Sequence, residues 1–257
     1  MHKTRRLNRI LAGDGKALIV AMDHGAIQGP RGLERPGEVI HQVAAGGADA
    51  ILTSYGVARV FGKELARLGL IIRTDGGAST IGPDISAGAP LFYVEDAVRL
   101  GADGVVANAG PGHRNEVQHI EWLSELASDC DQWGMVLVAE MVPGGFDSGP
   151  EFRTLETHKL AARFGSEYGA DLQKTPYCDH FEEVVRSCFT PIVVPGGSKM
   201  SEEQLIAMVY NAIQAGAVGC AVGRNIWGAA DPTKMTAALA AVIHGGASVA
   251  EAMKLLR

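Results

Sequence analysis

The chain is short of the features that would direct it to a membrane, a nucleic acid or an oxidising compartment. No apolar run approaches the roughly 20 residues of a helical membrane span, and the N-terminus carries no apolar signal core. Basic residues are outnumbered, 23 Lys and Arg against 29 Asp and Glu, for a net charge of -6. A nucleic-acid binder usually shows the opposite balance, and Lys3, Arg5 and Arg6 are too few to supply it. Cysteine is scarce: Cys130, Cys178, Cys188 and Cys220, none in a C-x-x-C spacing. That excludes a disulfide framework or a structural zinc site and suggests reduced thiols filling the core of a cytoplasmic protein. Nor is there a Gly/Ser/Pro linker or a break in composition, so one domain over residues 1–257 is expected.

What is present is a globular composition, 47% hydrophobic and 20% charged over 257 residues. The 33 glycines recur at fixed places. One phrase appears four times, at Gly46-Gly47-Ala48-Asp49, Gly101-Ala102-Asp103, Gly169-Ala170-Asp171 and Gly216-Ala217-Val218. Each reads as a helix closed by a left-handed glycine, a small residue for the turn, and the start of an apolar strand. Short runs rich in Val, Ile, Leu and Ala fall at 17–22, 49–53, 70–73, 104–107, 135–139, 171–173, 192–194 and 218–222. They lack polar alternation, as parallel strands covered on both faces do. Amphipathic stretches at 115–133, 153–168, 202–215 and 232–244 lie between them. Eight strands alternating with helices in this length predict a (β/α)8 TIM barrel; a doubly wound open sheet is the alternative. Residues 1–14 are expected as a leading segment with a short helix across the barrel bottom, and 248–257 as a terminal helix.

In such a barrel the chemistry sits at the carboxyl ends of the strands. Lys174, in Gln173-Lys174-Thr175-Pro176-Tyr177, falls at the end of the sixth strand. Burial there would disfavour its charge and leave an amine able to attack a carbonyl; the alternative is a lysine that caps the strand and solvates its ammonium. The first strand runs into Met22-Asp23-His24-Gly25, which points Asp23 at the mouth unless it merely caps the loop. His24 orients Asp23, touches substrate or faces outward. Arg73 ends the third strand and either holds a substrate oxygen or pairs with Asp75. Asn108 ends the fourth as a donor to substrate hydroxyls. Glu140 ends the fifth beside Lys174, to hold its charge, move protons or form a salt bridge. His113, His158 and His180 line the mouth or sit outside, and the glycine-rich loop 144–151 reads as a lid or a substrate selector. The seventh and eighth strands end in Pro195-Gly196-Gly197-Ser198 and Gly223-Arg224-Asn225. Glycines at these two places let backbone N–H groups approach a phosphate, and Arg224 adds a bidentate contact.

Met22-Asp23-His24-Gly25, Lys174-Thr175-Pro176-Tyr177, Val194-Pro195-Gly196-Gly197 and Ala221-Val222-Gly223-Arg224-Asn225-Ile226 stand in this order. In this the chain resembles the archaeal-type class I fructose-bisphosphate aldolases. Their relatives include the aminodideoxyheptulosonate synthases and a bacterial thiolase that processes phosphorylated autoinducer-2. The resemblance spans residues 6–257. It implies a metal-independent, cofactor-free lyase that forms a Schiff base on Lys174, with Asp23 as acidic partner. It implies phosphate held by Gly196, Gly197, Ser198, Gly223 and Arg224, and a homo-oligomer, often a decamer of two pentameric rings. One departure stands out. Those aldolases carry Tyr-Pro-Arg-Gly after the fifth strand, with the tyrosine as acid/base; here the run is Val142-Pro143-Gly144-Gly145. The thiolase also lacks the tyrosine, and residues 23–35 look closer to that branch. Asp23, His24, Glu140 and Tyr177 are the candidates to move protons instead. The expected activity is cleavage or formation of a carbon–carbon bond in a small phosphorylated ketose. The alternatives are acyl transfer from a phosphorylated diketone to coenzyme A, and a phosphosugar isomerase or non-catalytic phosphate-binding barrel.

Overall fold

The computed structural model describes residues 3–82 and 88–257. Eight parallel strands, β1 (Ala17–Ala21), β2 (Ala50–Thr53), β3 (Gly69–Arg73), β4 (Gly104–Asn108), β5 (Val136–Glu140), β6 (Leu172–Lys174), β7 (Ile192–Pro195) and β8 (Gly219–Val222), close into one barrel. Each pairs with its sequence neighbours, and β8 closes on β1. The expected strands match these to within one or two residues at each end. The long amphipathic stretches form helices Glu116–Trp133, Leu155–Glu167, Glu202–Gln214 and Pro232–Ile243 outside the barrel. A two-residue antiparallel ribbon, Asp75–Gly76 with Ala89–Pro90, rises from the end of β3 and was not foreseen.

The recurring glycine phrase has a structural cause. Gly47, Gly101, Gly169 and Gly216 all have φ between +72° and +102°, the left-handed region that glycine adopts without steric cost. In three copies the aspartate that follows has a second task. Asp49 Oδ2 accepts from Leu18 N at 2.7 Å, Asp103 Oδ2 from Leu70 N at 3.1 Å, and Asp171 Oδ2 from Leu137 N at 2.8 Å. Each carboxylate thus caps the amide near the start of the neighbouring strand, at the barrel bottom. The fourth copy has Val218, whose carbonyl instead accepts from Ala17 N at 2.8 Å.

Two of these carboxylates anchor the leading helix, Thr4–Ile10. Lys3 Nζ lies 2.9 Å from Asp171, Arg9 Nε lies 3.3 Å from Asp103, and Arg6 donates to Trp133 O at 2.7 Å. The helix crosses the floor: a Cβ on Gly69 would fall 2.3 Å from Arg9 O, and Ile10 is fully buried in the interior cluster. The terminal helix, Val249–Lys254, is shorter than expected and starts at a Ser248 capping box. His180 is the single described non-glycine residue with positive φ.

Two apolar layers follow from strand alternation. Ala17, Ile19, Ala21, Ala50, Leu52, Ile71, Val106, Val136, Val138, Leu172, Val193 and Ala221 point inward with Ile10. Leu18, Val20, Ile51, Leu70, Ile72, Val105, Leu137 and Val194 point outward against the helices. Successive side chains on a strand alternate faces, so this assignment fixes what the strand ends present.

Candidate active site

Counting in steps of two from the inward residues reaches Asp23 from Ala21, Arg73 from Ile71, Asn108 from Val106, Glu140 from Val138 and Lys174 from Leu172. All five therefore turn into the top of the barrel. Asn108, Glu140 and Lys174 are register partners on β4, β5 and β6 and stand side by side.

Lys174 is 4% exposed, and its Nζ lies 2.5 Å from Glu140 Oε1. Of the roles open to Glu140 beside Lys174, the register makes the ion pair direct, because the neighbouring strand ends on this carboxylate at the same level. Glu140 Oε2 accepts from Arg73 Nη2. Arg73 Nε donates to Asp23 Oδ2 at 2.5 Å and Nη1 to Asp75 Oδ1 at 2.9 Å. All three guanidinium nitrogens are thus spent on carboxylates, so of the two roles open to Arg73 the structure favours the ion pair over a substrate contact. Asp75 Oδ2 also accepts from Asn108 N at 3.0 Å, while Asn108 Oδ1 is buried with no protein partner.

The charges set the protonation states. Burial opposes ionisation of Glu140, but Lys174 and Arg73 outweigh it and hold the carboxyl below its ordinary range. Burial opposes Asp23 in the same way, and the Arg73 charge, helped by His24 and Lys174, holds it well below that range. Asp75 goes the other way: burial raises it, and Arg73 only partly counters this. The three acidic groups raise Arg73 well above its usual value against the cost of burial.

His24 packs its ring edge against Trp227, with centroids 5.9 Å apart, and its Nδ1 is 3.4 Å from Asp23 Oδ1. That is a loose contact placing His24 beside Asp23 rather than on the outside. Tyr177 is a correction. Its ring lies 5.4 Å from that of Phe181, it packs on the outer core, and burial raises its pKa. The chain has left β6 by then, so strand alternation no longer aims the side chain inward, and the phenol takes no part in the network.

At the other lip, Gly196, Gly197 and Ser198 follow β7, and Gly223 and Arg224 follow β8. Gly196 is buried; a Cβ there would meet Val222 Cγ1 at 2.8 Å. Gly197 has φ +62°. Arg224 Nε is buried and unpartnered. The two loops are tied by Asn225, to which the sequence alone assigns no role. Its Nδ2 donates to Gly196 O and Ser198 O, both at 3.0 Å, and its Oδ1 accepts from Met200 N at 3.1 Å. Trp227 Nε1 donates to Ala21 O at 3.0 Å and fixes the turn to β1.

The loop 144–151 is clamped rather than free as a lid. Arg153 Nη1 donates to Pro143 O at 2.8 Å and Nη2 to Gly145 O at 3.1 Å, while Ser148 Oγ donates to the same carbonyls. Phe152 covers Gly112 and Gly144 so closely that a Cβ on either would fall 2.5 Å from the ring. Val142 is 4% exposed. His113 is buried next to Gly145 and stacks on His119 at 4.5 Å; His158 is buried with Nδ1 2.6 Å from Thr154 O; His180 is exposed. Among the described residues no three His, Cys, Asp or Glu group as a metal would require, and no helix is long and apolar enough to cross a membrane.

Residues 17–229 match the family model described as DeoC/LacD family aldolase. The chain belongs to that aldolase family. The aldolase is 37% identical over 254 residues to 2-amino-3,7-dideoxy-D-threo-hept-6-ulosonate synthase 1 of Archaeoglobus fulgidus, covering 98% of this chain and 95% of the relative. It is 35% identical over 251 residues to the corresponding synthase of Halobacterium salinarum, covering 95% and 92%. Among solved structures it superposes, with a TM-score of 0.85 and 30% identity, on an archaeal fructose-1,6-bisphosphate aldolase whose catalytic Lys is covalently bound to the carbinolamine intermediate of the substrate, covering 94% of this chain and 99% of that one. A Schiff-base-forming fructose-1,6-bisphosphate aldolase gives the same score and identity, covering 94% and 100%. The expected barrel, family and aldolase class are those found.

Proposed function

We propose that this aldolase makes or breaks a carbon–carbon bond in a small phosphorylated ketose through a Schiff base on Lys174. The observation that carries the reading is a buried amine at the end of β6, inward-facing, with a carboxylate 2.5 Å away. The relatives' names, an aldolase of a sugar bisphosphate and a heptulosonate synthase, support the substrate class.

Glu140 is placed to receive the proton that Lys174 sheds before attack. Once that proton moves, the stronger of the two charges holding Glu140 ionised is gone, so the carboxyl keeps the proton more readily. The amine then adds to the ketone to give a carbinolamine. Asp23, anchored by Arg73, takes part in the proton transfers that expel water and leave the iminium. The iminium draws in the electron pair of the adjacent bond, and carbon–carbon cleavage or its reverse follows. The substrate phosphate lies across Gly196, Gly197, Ser198, Gly223 and Arg224, where Arg224 Nε lacks a partner. Binding at that remote group orients the ketone at Lys174. We take the enzyme to be cytoplasmic, in keeping with its few, unpaired cysteines, and a homo-oligomer, as the family resemblance implies; sedimentation velocity measures its size.

The test is borohydride reduction in the presence of dihydroxyacetone phosphate and of fructose 1,6-bisphosphate, with the adduct mapped by mass spectrometry. A reduced adduct on Lys174 is expected. Turnover of a phosphorylated ketose with no adduct at this residue rules the mechanism out. Val142 in place of the aldolase phenol favours one second reading, acyl transfer from a phosphorylated diketone to coenzyme A. Acyl-coenzyme A appearing in place of an aldehyde product would establish it. An isomerase or binding barrel would keep its activity or affinity when Lys174 is replaced by Met.

A further inference from the structure

One ion-pair network in the mouth links three carboxylates, Asp23, Asp75 and Glu140, to two cations, Arg73 and Lys174. The cations are unevenly shared. Glu140 contacts both, one oxygen each. Asp23 has Arg73 Nε at 2.5 Å and His24 on its other oxygen. Asp75 has only the third share of Arg73, at 2.9 Å, and a neutral donor, Asn108 N. It is also the most open of the three, with 16% of its side chain accessible against 5% for Asp23 and 4% for Glu140.

Its height matters as well. Asp75 lies two residues beyond Arg73, about 6–7 Å further towards the mouth, which brings it level with Asn108, whose amide it accepts from, with β4 and β5 between it and Lys174. A ketose held as an iminium at C2 carries its aldol hydroxyl on C4, two carbons from the lysine nitrogen. The group that serves that hydroxyl must stand away from Lys174, open to the mouth, and able to exist both with and without its proton.

We propose that Asp75 is the acid–base residue of the carbon–carbon step, the task for which Val142 offers no proton. This rests on the Schiff-base reading above. In cleavage the C4 hydroxyl proton passes to the Asp75 carboxylate as the C3–C4 pair moves towards the iminium; C4 becomes the aldehyde, and Lys174 carries a neutral enamine. The carboxylic acid then returns the proton to C3, regenerating the iminium. Condensation is the reverse. The titratable and charged groups facing Asp75 are Arg73, with Glu140 and Asp23 on the same guanidinium, Lys174 beyond Glu140, and His119, which burial and His113 hold below its ordinary value although the Asp75 charge works the other way. Burial lifts Asp75 above the ordinary aspartate value and its share of Arg73 only partly counters this, whereas Asp23 and Glu140 fall below theirs.

The experiment compares wild type, Asp75→Asn and Asp75→Glu in two assays. With dihydroxyacetone phosphate as probe, borohydride trapping reports the Schiff base, and exchange of the C3 proton with D2O, followed by NMR, reports enamine protonation. Asp75→Asn should trap the probe within about twofold of wild type and lose exchange by about 10²–10⁴-fold; Asp75→Glu should recover part of it. Exchange within threefold of wild type in Asp75→Asn overturns the proposal. The second assay needs no substrate: besides Asp49 and Asp103 at the floor, which burial also raises, carboxyl-labelled aspartate NMR of the wild type should show a resonance titrating above the ordinary range and absent from both variants. If the Asp75 resonance titrates at or below that range, the proposal fails even where a variant does not fold. Wild type that traps no probe at Lys174 would instead strike the Schiff-base reading, with the carboxyl titration still reporting on Asp75.

Discussion

Replacing Lys174 by Met tests the charge balance and the chemistry together. The two side chains are of similar length, so packing changes little, but one of the two cations facing three carboxylates disappears. Glu140 then keeps only its Arg73 contact, and Arg73 is already shared with Asp23 and Asp75. Removing one partner of a buried ion pair typically costs about 3–5 kcal/mol, because the remaining charge stays buried. For a domain of this size each kcal/mol moves Tm by about 2–4 °C, so the variant should melt about 6–20 °C lower at pH 7. The pH dependence supplies the sign. Glu140 has a depressed pKa in the fold, so its ionised form contributes stability above its unfolded value, near 4.5, and that stability is lost as pH falls through the folded value. Without Lys174 the largest favourable charge is gone and burial is left opposed by Arg73 alone, so Glu140 in the variant rises. The gap in stability between wild type and variant should therefore narrow as pH drops from 7 towards 4. Urea unfolding at several pH values, with borohydride trapping on the same samples, measures both effects. A variant as stable as wild type at pH 7, or one whose deficit is unchanged at pH 4, would refute the ion-pair account, even if the adduct is lost as expected.

Two further outcomes follow from the scaffold. Asn225→Ala removes two hydrogen bonds to Gly196 O and Ser198 O. At about 0.5–1.5 kcal/mol each, phosphorylated ketone should bind about 5–150-fold more weakly by calorimetry, with kcat less affected than KM; an unchanged KM would mean that the two loops do not hold the phosphate. Asp103→Ala orphans the buried Leu70 amide and unties Arg9. It should cost about 1–3 kcal/mol in urea unfolding and leave borohydride trapping intact, because it acts at the floor and not at the mouth.

Strand periodicity made most of the site readable. Once the eight runs are strands, a step of two from each buried apolar residue lands on Asp23, Arg73, Asn108, Glu140 and Lys174. The repeated glycine phrase likewise carries its own geometry, since a left-handed turn demands the glycine and a bare strand amide explains the aspartate. Legibility stops where the strands do. Tyr177 sits three residues past the end of β6, and nothing local says which way a loop side chain turns. Asp75 escaped notice as a site residue for a related reason. It lies in a two-residue ribbon whose partner, Ala89–Pro90, is distant in sequence, and only that pairing continues the inward alternation past Arg73. The partner of Lys174 was named as a neighbour but not fixed as an ion pair, because contact depends on the Glu140–Lys174 register and not on either residue alone. What sequence leaves open here is therefore the sharing of charge. Each acid looks alike on paper, whereas in the barrel one guanidinium divided among three carboxylates makes Asp75 chemically unlike Asp23 and Glu140. A site that loses its phenol needs one acid that is different from the rest, and an uneven supply of cations produces it without a new residue type.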